Sequence, residues 1–218
     1  MFFPRINGHI AEMQIGKVVC VGRNYAAHAK ELNNPIPSQP ILFMKPASAL
    51  VDMALPLRIP QQQGSVHHEL EIAILINESL HNASEEDCRA AIAGVGLGLD
   101  LTLRDVQDQL KQKGHPWERA KAFDGACPLS AMVSADQITD WHNLPLKLLR
   151  NGELQQDGNS RDMLFPVLPL LSHISSVFTL EPGDLVLTGT PAGVGPLHRG
   201  DRLEASLAEL IQVSTEVE

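Results

Sequence analysis

Two glutamates, two residues apart, are the first place where this sequence offers chemistry. In the segment Ser65-Val66-His67-His68-Glu69-Leu70-Glu71-Ile72-Ala73-Ile74-Leu75-Ile76, Leu70, Ile72, Ile74 and Ile76 alternate with a second set of side chains at period two. That pattern reads as a strand with Glu69 and Glu71 on one face. Side chains so placed lie about 6 to 7 Å apart, and two carboxylates that close repel unless they are solvated, share a proton or hold a cation. The apolar flanks argue against solvation, which leaves a shared proton or a metal. A third carboxylate strengthens the metal. Across residues 93–104, Val95, Leu97, Leu99, Leu101 and Leu103 form one face, while Gly94, Gly96, Gly98, Asp100, Thr102 and Arg104 form the other. Three glycines leave room for a close approach. If the two strands are neighbours, Asp100 joins Glu69 and Glu71 in a three-oxygen site suited to Mg²⁺ or Mn²⁺, with Ca²⁺ as a substitute. Zinc would want nitrogen or sulfur; His67 lies on the carboxylate face, so zinc is disfavoured and not ruled out. Taken alone, Glu-x-Glu also occurs on ordinary exposed strand faces.

Other residue groups carry weaker signals. His28 and Glu31 sit at i and i+3 of a helix-favouring run, so they share a face. They suit a general base with its orienting carboxylate, and equally a solvated helix face. The run Thr188-Gly189-Thr190-Pro191-Ala192-Gly193-Val194-Gly195 lacks the Gly-Lys-Ser/Thr ending of a phosphate loop. Its backbone N–H groups and the Thr190 hydroxyl could hold a substrate carboxylate, or the run is a plain tight turn. Lys45, Arg104 and Lys121 are each unremarkable alone. Ser48, Ser130 and Cys127 show no nucleophile-elbow context, which argues against covalent catalysis.

The elements that must position these residues come from the rest of the chain. Its 218 residues, 44% apolar, can bury a proper core. The formal net charge of −9, with no basic run to offset it, argues against nucleic-acid or anionic-membrane partners. Cys20, Cys88 and Cys127 have no metal or redox spacing and read as buried thiols of a reducing compartment. The N-terminus carries no secretory pattern, and no stretch has the length of a membrane span, so the expected location is the cytoplasm. Residues 17–21 read as a strand and 24–32 as a helix with Asn24 as its N-cap. A Pro-rich loop follows at 33–40, which makes 24–40 a candidate lid. A short strand at 41–44 delivers Lys45. Ser84-Glu85-Glu86-Asp87 opens a helix to about 93, 105–113 is a second, and 117–124 is a loop carrying Lys121. Asn151-Gly152 marks a hairpin with a type I′ turn. Ser160 and Asp162 cap a helix over 163–178, and 185–187 is a strand. Strands and helices do not alternate regularly, so the expected class is α+β and sheet-dominated.

Six stretches taken together are specific. They are Gly22-Arg23-Asn24-Tyr25-Ala26-Ala27-His28, Leu42-Phe43-Met44-Lys45-Pro46, His67-His68-Glu69-Leu70-Glu71, Leu99-Asp100-Leu101-Thr102-Leu103-Arg104-Asp105-Val106-Gln107, Pro116-Trp117-Glu118-Arg119-Ala120-Lys121, and the run 187–195. In this order they resemble the fumarylacetoacetate hydrolase family, in its small single-domain acylpyruvase and oxaloacetate decarboxylase branch. The resemblance implies a mixed β-roll with peripheral helices: a short lead-in over 1–16, a single catalytic domain over 17–218, and a homodimer. It also implies Mg²⁺ or Mn²⁺ on Glu69, Glu71 and Asp100, with His28, Glu31 and Lys121 catalytic. Arg23, Lys45, Arg104, Gln107, Gly189 and Thr190 would contact a small keto-acid substrate. The implied reaction is hydrolysis of acylpyruvates such as acetylpyruvate or fumarylpyruvate to pyruvate and a carboxylic acid, through an enolate whose charge the metal stabilises. Decarboxylation or keto–enol tautomerisation of oxaloacetate is the second reading. A non-catalytic metal- or ligand-binding protein holding structural Ca²⁺ is a third, of another class.

Overall fold

The computed structural model describes residues 2–218. Its centre is a mixed sheet in the order Ile41–Pro46, Lys17–Gly22, Leu185–Leu187, Leu70–Ile76, Ile92–Leu99, Cys127–Leu129, Leu50–Asp52, with Val133–Ser134 also paired to Ile92–Leu99. The Leu185–Leu187 strand runs parallel to Lys17–Gly22, and Cys127–Leu129 parallel to Leu50–Asp52; the other pairs are antiparallel. All seven residues of Leu70–Ile76 are buried, because both faces of the sheet are covered. Leu70, Ile72, Ile74 and Ile76 enter one apolar cluster with Leu146, Leu148, Leu203 and Leu207 of a four-stranded antiparallel sheet. Ala73 and Leu75 enter a second cluster with Val18, Cys20, Leu185, Leu187 and Met132. Period-two alternation thus feeds two cores instead of one core and solvent.

The lead-in is more than a preface. Arg5–Ile6 and His9–Ile10 pair as a small hairpin, and Ile6 packs where a side chain on Gly94 would sit. The glycine face expected to admit a ligand is filled in this way along its length. Met132 and Ser130 lie against Gly96, and Leu187 against Gly98, where a Cβ would come within 2.6 Å of a Leu187 methyl.

The Asn151-Gly152 hairpin forms as expected, with φ of 55° and 79° at the two turn residues, the positive values a type I′ turn requires. Ser84 and Asp87 form the expected capping box, although the helix they open ends at Ala90. The late helix starts at Val167, after Pro166, and Ser160–Asp162 is a separate 3₁₀ turn. Residues 118–121 are a helical turn where a loop was expected. Among the described residues no helix is long and apolar enough to cross a membrane.

What positions the site is a shared break in two neighbouring strands. The chain leaves the large sheet at Glu69, between Val66–His68 and Leu70–Ile76, and again at Asp100, between Ile92–Leu99 and Thr102–Leu103. Val66–His68 and Thr102–Leu103 pair in a separate three-stranded sheet. Leu70 pairs with Leu99, and the Asp100 N–H donates to the Glu69 carbonyl at 2.8 Å. Both acidic residues therefore stand at one seam between sheets.

Candidate metal and active site

At this seam one oxygen each from Glu69, Glu71 and Asp100 lie within 4.8 Å of one another, and all three residues are buried. Three cations lean on the group. Lys121 Nζ lies 2.8 Å from Glu69 Oε2 and 2.6 Å from Asp100 Oδ2. Arg104 donates to Glu69 Oε1, and Lys45 Nζ lies 2.8 Å from Asp100 Oδ1. Glu71 has no cation partner among the described residues; its Oε2 accepts the Gly189 N–H at 2.6 Å. Burial, and then the charges of Asp100 and Glu69, push the Glu71 carboxyl well above the usual range. Burial would raise Glu69 too, but Lys121 and Arg104 outweigh it and hold that carboxyl below the usual range. Lys121 is kept charged: burial opposes its ammonium, and Asp100 and Glu69 more than restore it. The donor set is entirely hard oxygen, and one carboxylate lacks a counter-charge. Those features fit a divalent cation.

His28 and Glu31 are brought together. The helix Ala26–Glu31 places His28, 5% exposed, with Nδ1 3.3 Å from Glu31 Oε2, and Glu31 Oε1 accepts the Gly193 N–H at 3.0 Å. His28 lines the same cavity as the carboxylates, along with Arg23, Phe43, Gln107, Trp117 and Lys121. Gln107 Oε1 accepts from Arg104 Nη1 at 2.6 Å. Phe43 and Trp117 pack edge-tilted at 5.6 Å, and Lys121 Nζ stands 5.1 Å from the Phe43 ring centre, a cation–π distance. Arg23 takes a φ of 59°, in the left-handed region that non-glycine residues seldom occupy.

Residues 17–218 match the family profile of the fumarylacetoacetate hydrolase C-terminal domain. The chain belongs to the fumarylacetoacetate hydrolase family. It is 53% identical over 197 residues, 90% of each chain, to the oxaloacetate tautomerase YcgM of Escherichia coli. It is 42% identical over 201 residues to the mitochondrial oxaloacetate tautomerase FAHD1 of Homo sapiens, covering 92% of this chain and 91% of that one. The solved structure of a fumarylpyruvate hydrolase from Pseudomonas aeruginosa, in complex with Mn²⁺ and pyruvate, superposes with a TM-score of 0.93 at 35% identity, over 99% of this chain and 95% of the other. The sheet-dominated α+β fold is that of this family, and the protein is an enzyme of it.

Of the expected substrate contacts, Lys45 and Gly189 do not line the cavity, while Thr190 lines it with its hydroxyl proton already engaged. Lys45 is fully buried, and besides Asp100 its ammonium donates to the carbonyls of Leu101 and Lys121. It braces a carboxylate from behind and does not line the cavity. The Thr190 hydroxyl donates to the Leu70 carbonyl at 2.8 Å, so its single proton is spent within the protein. The Gly189 N–H holds Glu71 in place of a substrate. His67 lines a neighbouring recess and is absent from the carboxylate cluster, which removes the nitrogen that zinc would have wanted. Asn24 is no N-cap. Its side chain, fully buried, bonds the Thr188 carbonyl at 2.7 Å and both backbone groups of Phe165, tying the start of the His28 helix to the Gly189 loop.

Gln156 is a residue the sequence did not announce. Fully buried on the Glu153–Asn159 strand, its Oε1 meets His68 Nδ1 at 3.1 Å and the Leu70 N–H at 3.0 Å. Its Nε2 donates to Thr190 Oγ1 at 2.8 Å and to the Pro191 carbonyl at 3.0 Å. All four of its hydrogen-bonding positions are used to clamp the strand break at Glu69 to the loop that holds Glu71.

Proposed function

We propose that this enzyme is a divalent-metal-dependent oxaloacetate tautomerase, interconverting keto and enol forms, with Mg²⁺ or Mn²⁺ held by Glu69, Glu71 and Asp100. The sequence placed acylpyruvate hydrolysis first and oxaloacetate second; the relatives at 53% and 42% identity support the reverse order. The similarity to those tautomerases supports the reaction, and the balance of charge at the site supports a dicarboxylic substrate. Three buried carboxylates face three buried cations, Lys45, Lys121 and Arg104. A divalent ion adds two positive charges to that neutral set. A dicarboxylic keto acid supplies two negative charges, and an acylpyruvate with an uncharged acyl end supplies one. In a buried site of low dielectric that mismatch is costly.

When bound, the cation would polarise a 2-oxo group and stabilise the negative charge that develops there as the enol forms. The protein's own residues handle the proton. Glu31 accepts from the His28 Nδ1–H, which leaves Nε2 with the lone pair, and the Gly193 N–H fixes Glu31 in turn. His28 Nε2 therefore takes the proton from C3 and returns it to the former 2-oxo oxygen, which completes the enol. Lys121, kept as an ammonium, hydrogen-bonds the oxygen that becomes more negative. Arg104 and Gln107 orient the acid; Asn24 anchors the His28 helix, so of the expected lid only the exposed Pro-rich loop 33–40 is left to close over it. No attacking water is required, which separates tautomerisation from C–C hydrolysis on the same groups. A cytoplasmic location and a homodimer are part of this proposal; three buried thiols, none of them paired, support the reducing compartment.

Acylpyruvate hydrolysis stays the second reading because the Pseudomonas aeruginosa neighbour is a fumarylpyruvate hydrolase holding pyruvate. The test is the ultraviolet decay of enol-oxaloacetate with Mg²⁺, run beside pyruvate release from acetylpyruvate. The expected result is tautomerase activity that falls about 100-fold in His28→Gln. Pyruvate release outpacing tautomerisation would make hydrolysis the main activity.

A further inference from the structure

The helix Arg104–Lys113 turns Arg104, Gln107 and Lys111 to one side, at i, i+3 and i+7. The first two are buried beside Glu69. Lys111 reaches past them and lines two spaces at once, the carboxylate cavity and a side recess of about 180 Å³. Leu32 and Arg104 belong to both walls as well, so the spaces adjoin along that edge. Glu31, His67, Asp108 and Val194 complete the recess.

The charges of this edge are unequal in their commitments. Lys121 and Arg104 are held by buried carboxylates. Lys111 has only Asp108, 3.5 Å away and half exposed, a pair of little worth in solvent. Glu31 is engaged by His28 and by the Gly193 N–H. His67 Nδ1 is buried in the same wall with no hydrogen-bond partner. A recess with an uncommitted ammonium and an unpaired ring nitrogen, beside a cavity that accepts a 2-oxo carboxylate, suits a second carboxylate.

We infer that Lys111 receives the distal carboxylate of a dicarboxylic 2-oxo acid, with that arm in the recess, and so sets the preference for such acids over acylpyruvates with an uncharged end. This rests on the proposed function in one respect, that a keto acid occupies the carboxylate cavity. Lys111 lies on the outer part of its helix, with a side chain 28% exposed, so substitution there leaves the core intact.

The experiment is steady-state kinetics at saturating Mg²⁺ on the wild type, Lys111→Met, Lys111→Glu and Lys111→Arg. The substrates are oxaloacetate, fumarylpyruvate and acetylpyruvate. Lys111→Met is expected to raise KM for the dicarboxylic substrates about tenfold more than KM for acetylpyruvate, with kcat nearly level. Lys111→Glu extends the difference and Lys111→Arg restores most of the wild-type ratio. Equal changes of KM on charged and uncharged substrates, or none, would overturn the inference. Wild-type enzyme that acts on fumarylpyruvate and not on oxaloacetate would overturn the tautomerase reading instead, and the fumarylpyruvate to acetylpyruvate ratio would still decide Lys111.

Discussion

Replacing Lys45 with methionine separates a brace from a substrate contact. The Lys45 ammonium is fully buried, 2.8 Å from Asp100 Oδ1, and donates to two backbone carbonyls. Methionine fills similar volume but removes the charge. Breaking a buried ion pair by deleting one partner costs about 3–5 kcal/mol. Asp100 keeps Lys121 on its other oxygen at 2.6 Å, so the lower end, about 3 kcal/mol, is expected. In a domain of this size each kcal/mol moves Tm by about 2–4 °C, giving a loss of about 6–12 °C. The variant triad is more negative and binds a divalent ion in partial compensation, so the loss shrinks in excess Mn²⁺ by ordinary linkage. Thermal denaturation by circular dichroism, in chelator and in Mn²⁺, reads both effects. A variant with wild-type Tm in chelator and a raised KM for keto acid would refute the reasoning and return Lys45 to the substrate.

Gln156→Leu strands the Leu70 N–H and the Pro191 carbonyl in a buried setting. At about 1–3 kcal/mol for each unpaired group, urea denaturation should show a loss of about 3 kcal/mol, with Mn²⁺ affinity lower by about tenfold as the strand break at Glu69 loosens. A loss below about 1 kcal/mol would mean the clamp is dispensable. Acid stability follows from two histidines. Burial, then Arg104, lowers His67 to about 4, and burial lowers His68. Both bind protons more readily in the unfolded chain, so their contribution is full above the unfolded pKa of about 6.5 and is lost as pH falls toward 4. Tm should drop across that window, and His67→Asn should flatten the slope. An unchanged slope would show that His67 titrates normally in the fold.

The three carboxylates were legible because period-two alternation fixes which residues share a face, and because the strands that carry them are sequential neighbours joined by one short helix. The Asn-Gly turn was legible for a similarly local reason. Lys45, Thr190 and Gln156 were not, since their roles depend on partners 34 to 120 residues away. A lysine after a short strand gives no sign that a distant aspartate waits behind the sheet. Nor does the polar run Gln155-Gln156-Asp157 show which of its side chains turns inward. The glycine face misled for a physical reason: room beside a strand admits any close neighbour, and here Leu187, Met132 and Ile6 take it.

Calorimetric titration of Mn²⁺ into the wild type and Asp100→Asn, after exhaustive chelation, tests the central arrangement most directly. A single ion per wild-type chain is expected, with a proton released because burial and its neighbours hold Glu71 well above the usual carboxylate range. In the variant the affinity is expected to be lower by about 100-fold. Equal affinity in the two proteins, or no binding to the wild type, would contradict that arrangement.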